Sequence, residues 1–209
     1  MLLSFIISSF FLAISPGPDN IYIAALTSRS GKFSGFTFLT GLLIGCFIHT
    51  ILLAFGLSTL IIQSDFIFDA LRYLGAIYIF YLSFEVYNSD YVLDSGNKFI
   101  ASNFFLKNLK KGILMNLLNP KVFLFFALFF SNFIFSETLS FKIQIIILGL
   151  IFIIITFFVF GIIILFSDVI FTISYKKSKF NLFSKLFNII VLLVIGIIIL
   201  FTENTITLS

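Results

Sequence analysis

The sequence predicts an all-α integral membrane protein whose six transmembrane helices form two inverted three-helix repeats, with the first and fourth helices broken. Three observations lead to this fold class. The 209-residue chain is 60% hydrophobic, and its mean hydropathy is +1.20. Only 11% of its residues are charged, whereas soluble domains carry about 25%. Two proline-containing breaks, at residues 15–20 and 119–121, interrupt apolar segments that are otherwise fit to cross a bilayer.

Each predicted span has about 20 or more residues, the length that crosses a ~30 Å hydrocarbon core. The predicted spans cover residues 1–27, 36–62, 66–86, 112–135, 141–166 and 182–201. We interpret residues 1–14 as the first half of helix one rather than a cleaved signal peptide, because no basic residue precedes the apolar run. A basic, glycine-containing turn at residues 29–35 is expected to join helices one and two.

The domain organisation follows from the polar stretch at residues 88–103, which we interpret as a linker. A single transmembrane domain is expected over residues 1–209, with repeat one at about 1–90 and repeat two at about 104–209. Each half holds three spans, and an odd number inverts the second half relative to the first. This is the arrangement of many secondary transporters.

The basic residues predict the orientation. The loops after helices one, three and five hold Arg29, Lys32, Lys98, Lys107, Lys110, Lys111, Lys176, Lys177, Lys179 and Lys185. The opposite side has only Arg72 and Lys142. Because cytoplasmic loops carry the excess of lysine and arginine, the odd-numbered loops are expected in the cytoplasm and both termini outside. The same bias accounts for the net charge of +4, so nucleic acid is not an expected partner.

The cysteine and histidine content excludes several functions. A membrane thiol–disulfide carrier normally needs a cysteine pair, and this chain has only Cys46. No cluster of cysteine and histidine predicts a structural metal site, and no cofactor is expected. Lipid and a small solute are the expected partners.

The two breaks have the chemistry of an anion site. Proline cannot continue a helix, and a break in lipid survives only where protein or a watered cavity surrounds it. Asn119 is a good N-cap and Pro120 a preferred first helical residue; Gly17 and Pro18 offer a similar start. Each new N-terminus presents free N–H groups and about +0.5 of a charge. Two such ends, with Lys121 beside one of them, would favour a carboxylate.

Individual side chains have alternative interpretations. Asp19 either caps its helix or binds ligand, and ionisable groups at membrane depth are usually functional. Asn20 and Asn116 either satisfy freed backbone groups or contact the solute, and His49 is either a packing residue or part of a proton relay. Asp19 and His49 are the proton-coupling candidates. The predicted substrate-binding residues are Pro16, Gly17, Pro18, Asp19, Asn20, Asn116, Asn119, Pro120 and Lys121.

Four stretches together resemble the lysine exporter (LysE/RhtB) family of amino-acid exporters. They are SPGPDN in helix one, RSGKFSG leading to TGLLIG, RYLGAIYIFYL in helix three, and FLKNLKKGILMNLLNPK entering the fourth span. The resemblance covers about residues 8–135. One departure is Ser83, where many relatives have glycine.

The resemblance implies a six-span exporter of amino acids or related metabolites in the bacterial inner membrane, driven by the proton gradient, and it allows a homodimer. Carried over by residue, its Pro-Gly-Pro falls on residues 16–18 and its Asn-Pro-Lys on residues 119–121. Two alternatives remain open from the residues: efflux of a metal cation of the cadmium type, and a membrane-embedded enzyme. The shortage of ligand side chains inside the spans disfavours the first, and the scatter of Asp19, His49 and Lys121 disfavours the second. The sequence does not identify the amino acid.

Overall fold

The chain folds into helices and turns, with no strand in the part that the structure describes. The computed structural model describes residues 1–15, 17–57, 65–88, 104–167, 169 and 178–201. Its helices are α1 (Leu2–Ile14), α2 (Pro18–Ser30), α3 (Lys32–Leu52), α4 (Asp65–Asn88), α5 (Phe104–Leu117), α6 (Pro120–Leu124), α7 (Phe141–Leu165) and α8 (Ser178–Leu200). A π turn at Leu53–Leu57 extends α3; another at Phe125–Phe129 extends α6 and leads into a 3-10 turn at Phe130–Phe133. The all-α class is confirmed.

Two helices are long and apolar enough to cross a membrane, at Lys32–Gly56 and Phe141–Leu165. A third candidate is the pair α1 and α2, which meet at the first break with a bend of 55°. The described residues therefore support a membrane protein with two or three candidate spans. The six-span inverted repeat stays a prediction.

Two predicted boundaries differ from those observed, and a third lies outside the described residues. The basic turn is a single residue, Gly31, whose φ of 83° and ψ of 165° lie in a region that essentially only glycine adopts; α3 therefore begins at Lys32 instead of residue 36. The apolar fourth span does not continue as a helix to residue 135. Its last helical turn is a 3-10 turn that ends at Phe133. The predicted linker lies outside the described residues from position 89 onward.

Helices α3 and α5 pack with their backbones in contact. A Cβ added to Gly112 would meet the carbonyl oxygen of Phe38 and would lie 3.0 Å from the Cα of Gly41. A Cβ added to Gly41 would meet the carbonyl oxygen of Leu109. Small residues at helix crossings allow this approach in membranes, where packing replaces the hydrophobic effect. Gly41 and Gly112 therefore lie on an intramolecular packing surface.

The same crossing positions Asn116 of α5. A Cβ on Gly45, one turn beyond Gly41, would lie 2.6 Å from Asn116 Oδ1 and 2.7 Å from Asn116 Cβ. The missing side chain of Gly45 thus makes room for the amide, whose Nδ2 donates to Cys46 Sγ at 3.4 Å.

An aromatic cluster joins α1, the turns after α6, and α7. Its members are Phe5, Phe125, Phe126, Phe129, Phe130, Phe133 and Phe152. The ring centroids of Phe126 and Phe130 are 4.2 Å apart, and those of Phe5 and Phe130 are 5.0 Å apart. Edge-to-face and offset ring pairs of this kind each add about 0.5–1.5 kcal/mol beyond area burial. The cluster packs the start of α1 against the turns after α6 and against α7.

Gln144 of α7 stabilises the irregular segment that follows the 3-10 turn. Its Oε1 accepts from the backbone N–H groups of Phe135 (2.8 Å) and Ser136 (2.9 Å). Its Nε2 donates to the carbonyls of Ser136 and Leu139, both at 2.8 Å. The buried side-chain amide of Gln144 therefore makes four hydrogen bonds to backbone groups that would have bonded to other backbone groups in a continued helix.

The glycine contact can be tested by adding one methyl group. Gly112→Ala should force α3 and α5 apart and lower stability by about 1–3 kcal/mol, the usual cost of overpacking. Gly161→Ala is the matched control, because a Cβ at Gly161 of α7 meets no atom of the described residues within 4 Å. Thermal unfolding of both variants in detergent gives the comparison. An unchanged midpoint for Gly112→Ala would show that the two backbones are not tightly packed.

Candidate functional site

Both predicted breaks produce a new helix N-terminus. Gly17 has extended backbone angles (φ −148°, ψ −178°) and precedes α2, which begins at Pro18. Asn119 caps α6, because its Oδ1 accepts from the backbone N–H of Lys121 at 3.1 Å, and Pro120 is the first helical residue. The cap–proline start predicted for α6 is confirmed in full. At α2 the proline start is confirmed, and no side chain caps the helix.

A hydrogen bond joins the two helix starts. Asn119 Nδ2 donates to Asp19 Oδ2 at 2.8 Å, across a separation of 100 residues in sequence. The Asp19 side chain is buried, with 6% exposure. The N-terminal ends of α2 and α6, each positive by the helix dipole, therefore lie on either side of one carboxylate.

The carbonyl groups freed at the end of α1 have replacement donors. Lys121 Nζ donates to the carbonyl oxygens of Leu12 at 3.0 Å and Ser15 at 3.2 Å. Asn20 Nδ2 donates to the carbonyl of Ala13 at 2.9 Å. In hydrocarbon an unsatisfied backbone group costs several kcal/mol. These bonds explain how the helix can break inside an apolar segment, and they place a cation at the negative end of the α1 dipole.

The ammonium group of Lys121 is thus used partly for structure. Two of its three donors go to α1 carbonyls, and within the described residues no acceptor engages the third. Asp19 and Lys121 do not approach within the 4.0 Å of an ion pair; the described ion pair is that of Asp69 and Arg72. Asp19 and Lys121 are therefore two charges with separate hydrogen-bond partners.

A small cavity of about 30 Å³ lies beside the breaks. That volume holds about one water molecule. Three buried oxygen atoms of its lining residues have no hydrogen-bond partner in the described protein: Asp19 Oδ1, Asn116 Oδ1 and Thr156 Oγ1. The predicted site residues that line this cavity are Gly17, Asp19, Asn20, Asn116, Asn119 and Lys121.

A larger cavity, here called the vestibule, adjoins the same carboxylate. It has a volume of about 570 Å³ and opens beside the start of α5. Its lining comprises Asp19, Lys107, Lys110, Lys111, Leu114, Met115, Leu118 and Asn119. Because Asp19 and Asn119 line both cavities, their hydrogen bond lies at the boundary between the basic vestibule and the small cavity.

The other predicted residues lie apart from the cavity or outside the description. His49 is buried behind Asn116, with Nε2 at 3.5 Å from the Asn116 carbonyl and its ring stacked on Phe126 at 5.3 Å. It does not line the small cavity. Pro16 and the side chains of Pro18 and Pro120 are not among the described parts of the chain.

Sequence reasoning missed Thr156 and the vestibule lysines as site residues. Thr156 is a single hydroxyl in the apolar run IFIIITFFVF of α7, and that isolation was a usable signal. The lysines were assigned only to orientation. Cys46 was not predicted to take part in the site, yet its Sγ accepts a hydrogen bond from Asn116 Nδ2. Within the described residues no group of three His, Cys, Asp or Glu side chains could hold a metal ion.

Comparison with known proteins adds independent information. The family model of the LysE type translocator matches residues 10–202. A leucine efflux protein of Klebsiella pneumoniae subsp. pneumoniae is 28% identical over 132 residues, covering 63% of this chain and 62% of the relative. A leucine efflux protein of Salmonella choleraesuis is 29% identical over 133 residues, with the same coverage. An uncharacterized membrane protein of Pseudomonas aeruginosa is 27% identical over 139 residues, again with 63% and 62% coverage.

The chain therefore spans less than two thirds of the length of the curated relatives it matches. No solved structure matches it at a significant level. The family match extends over most of the chain, and it confirms the resemblance inferred from the four motifs. The chain belongs to the LysE type translocator family, a family of membrane translocators and not of enzymes.

Proposed function

We propose that this protein is a secondary transporter that exports amino acids or related metabolites across the bacterial inner membrane, in exchange for protons. One observation carries the proposal: a carboxylate, a lysine ammonium and two helix N-termini meet at a broken helix, at the inner end of an open vestibule. Membership of the translocator family and the leucine efflux proteins among its relatives support it.

For the membrane arrangement we propose six spans in two inverted repeats, residues 1–90 and 104–209. The equivalent starts of α2 and α6 support this, since each follows a break and has proline as its first residue. Paired discontinuous helices are the usual origin of midplane sites in transporters with inverted repeats. We also expect a homodimer, as the family resemblance predicts.

For the substrate we propose that the carboxylate binds at the N-terminal ends of α2 and α6 and at the third N–H of Lys121. Helix N-termini attract anions through free N–H groups and the helix dipole. Asp19 would take the amino group or the exchanged proton, and His49 is the second candidate for the proton. The hydrogen bond between Asp19 and Asn119 supports this assignment, because it brings the two helix ends to one carboxylate.

For the transport cycle we propose that the vestibule faces the cytoplasm and admits the substrate. Its volume of about 570 Å³ falls within the usual ~300–1,000 Å³ of small-molecule pockets. Its three lysines agree with the excess of positive charge in cytoplasmic loops, and would draw a carboxylate inward. The small cavity cannot hold a whole amino acid, so export requires the repeats to rock and the aromatic cluster to open.

Counterflow in proteoliposomes tests the function directly. Vesicles preloaded with an unlabelled amino-acid mixture should accumulate labelled leucine or another member of the mixture, and an imposed pH gradient should accelerate its exchange. Empty liposomes are the control. Failure to exchange any amino acid would remove the proposal, whereas exchange that ignores the pH gradient would remove only the proton coupling.

The charged pair can be tested separately. Asp19→Asn and Lys121→Met should each lower counterflow by at least about tenfold, since a charge-assisted hydrogen bond is worth about 1.5–3 kcal/mol. Lys142→Met is the control for the lysine change, because its ammonium lies over Phe55, away from both cavities. Asp69→Asn is the control for the aspartate change, as it removes a carboxylate that pairs with Arg72. Normal counterflow by both site variants would refute the site assignment.

The orientation can be tested by cysteine labelling. The one native cysteine is buried and can be changed to alanine, after which single cysteines are placed at the exposed positions Phe33 and Thr138. An impermeant maleimide added to whole cells should label position 138 and not position 33 until the cells are opened. The reverse pattern would place the vestibule on the outer face.

A further inference from the structure

We propose that Asp19, Asn116 and Thr156 form a subsite for the α-ammonium group of the transported amino acid. The inference rests on the proposed function and extends it, because it assigns one substrate group to three named oxygens. Thr156 belongs to α7, which contains neither of the two breaks and none of the motifs around them.

The first argument is the convergence of unpartnered oxygens. Asp19, Asn116 and Thr156 are 6%, 3% and 4% exposed, and they come from α2, α5 and α7. One oxygen of each has no hydrogen-bond partner in the described protein. Buried polar groups are normally hydrogen-bonded, because leaving one unsatisfied costs about 1–3 kcal/mol. The three residues that carry these atoms line one cavity, which favours a ligand that donates several hydrogen bonds.

The second argument is charge. A buried carboxylate is stable only when it is paired or well hydrogen-bonded. The described partner of Asp19 is the neutral amide of Asn119, and Lys121 directs its ammonium group to the carbonyls of α1. The site therefore has a negative charge without a directly contacting cation, and a positively charged ligand group would supply it.

The third argument is size and stoichiometry. A primary ammonium group has three N–H donors, which match the three oxygens in number. Its volume is close to that of a water molecule, and the cavity of about 30 Å³ holds about one. Calcium, in contrast, takes at least about six oxygen ligands. The remainder of an amino acid can extend past Asp19 and Asn119 into the vestibule, since these two residues line both cavities.

The test compares an amino acid with the same molecule lacking its amino group. In proteoliposome counterflow, unlabelled leucine and 4-methylpentanoate compete with the labelled amino acid that exchanges fastest. Leucine should inhibit the wild-type protein at concentrations about ten- to hundredfold lower than 4-methylpentanoate does. The reason is that losing a hydrogen bond to a charged group costs about 1.5–3 kcal/mol of binding free energy.

Thr156→Val removes the hydroxyl and keeps the shape of the side chain. It should raise the inhibitory concentration of leucine about tenfold and leave that of 4-methylpentanoate unchanged, and Thr156→Ser should restore the wild-type value. Thr27→Val is the matched control, since Thr27 Oγ1 is equally buried and unpartnered but lies outside the cavity.

Three outcomes would overturn the subsite. The first is equal inhibition of the wild type by leucine and 4-methylpentanoate. The second is an unchanged inhibitory concentration of leucine in Thr156→Val, which would mean that the cavity holds only an ordered water. The third is a loss of counterflow in that variant that depends on sodium, which would mean that the cavity binds an inorganic cation. Each leaves the exporter proposal intact, because the wild type still exchanges amino acids. A wild type that exchanges none refutes both.

Discussion

The structure around the site depends on the hydrogen bonds from Lys121 to the carbonyls of Leu12 and Ser15. They join the end of α1 to the start of α6, across more than a hundred residues of sequence. Without them the opened helix would leave acceptors unsatisfied inside an apolar segment, and in hydrocarbon each such group costs several kcal/mol. With them α2 can begin anew at Pro18, and its N-terminus can meet that of α6 at one carboxylate. The break and the lysine are therefore one structural unit.

A second constraint sets the position of the opposite wall. Because α3 and α5 touch through Gly41 and Gly112, the Asn116 amide fits over Gly45 and lines the small cavity. The vestibule and the aromatic cluster share no residue: the first is lined by lysine side chains, and the second consists of packed phenylalanine rings. In the transport cycle that we propose, they would form the open and the closed side of the site.

Much of this could be predicted from sequence, for physical reasons that differ by element. Proline and glycine act locally, so both breaks and the N-cap at Asn119 were predictable from their own residues. Boundaries were less so: only the backbone angles of Gly31 show that the turn before α3 has one residue. Contacts between segments distant in sequence could not be predicted from the sequence. Periodicity cannot show that Lys121 reaches Leu12 instead of Asp19, or that Thr156 of α7 lines the cavity, because helix packing decides both.

The tethered ammonium of Lys121 has a consequence for the ions that the protein needs. In many transporters with broken helices, the carbonyls of the unwound segment coordinate dissolved sodium. Here the chain supplies its own cation to Leu12 and Ser15. That cation is part of the chain and cannot diffuse away, so these two carbonyls have a partner without a dissolved ion. We therefore expect the broken helix to keep its geometry in the absence of sodium.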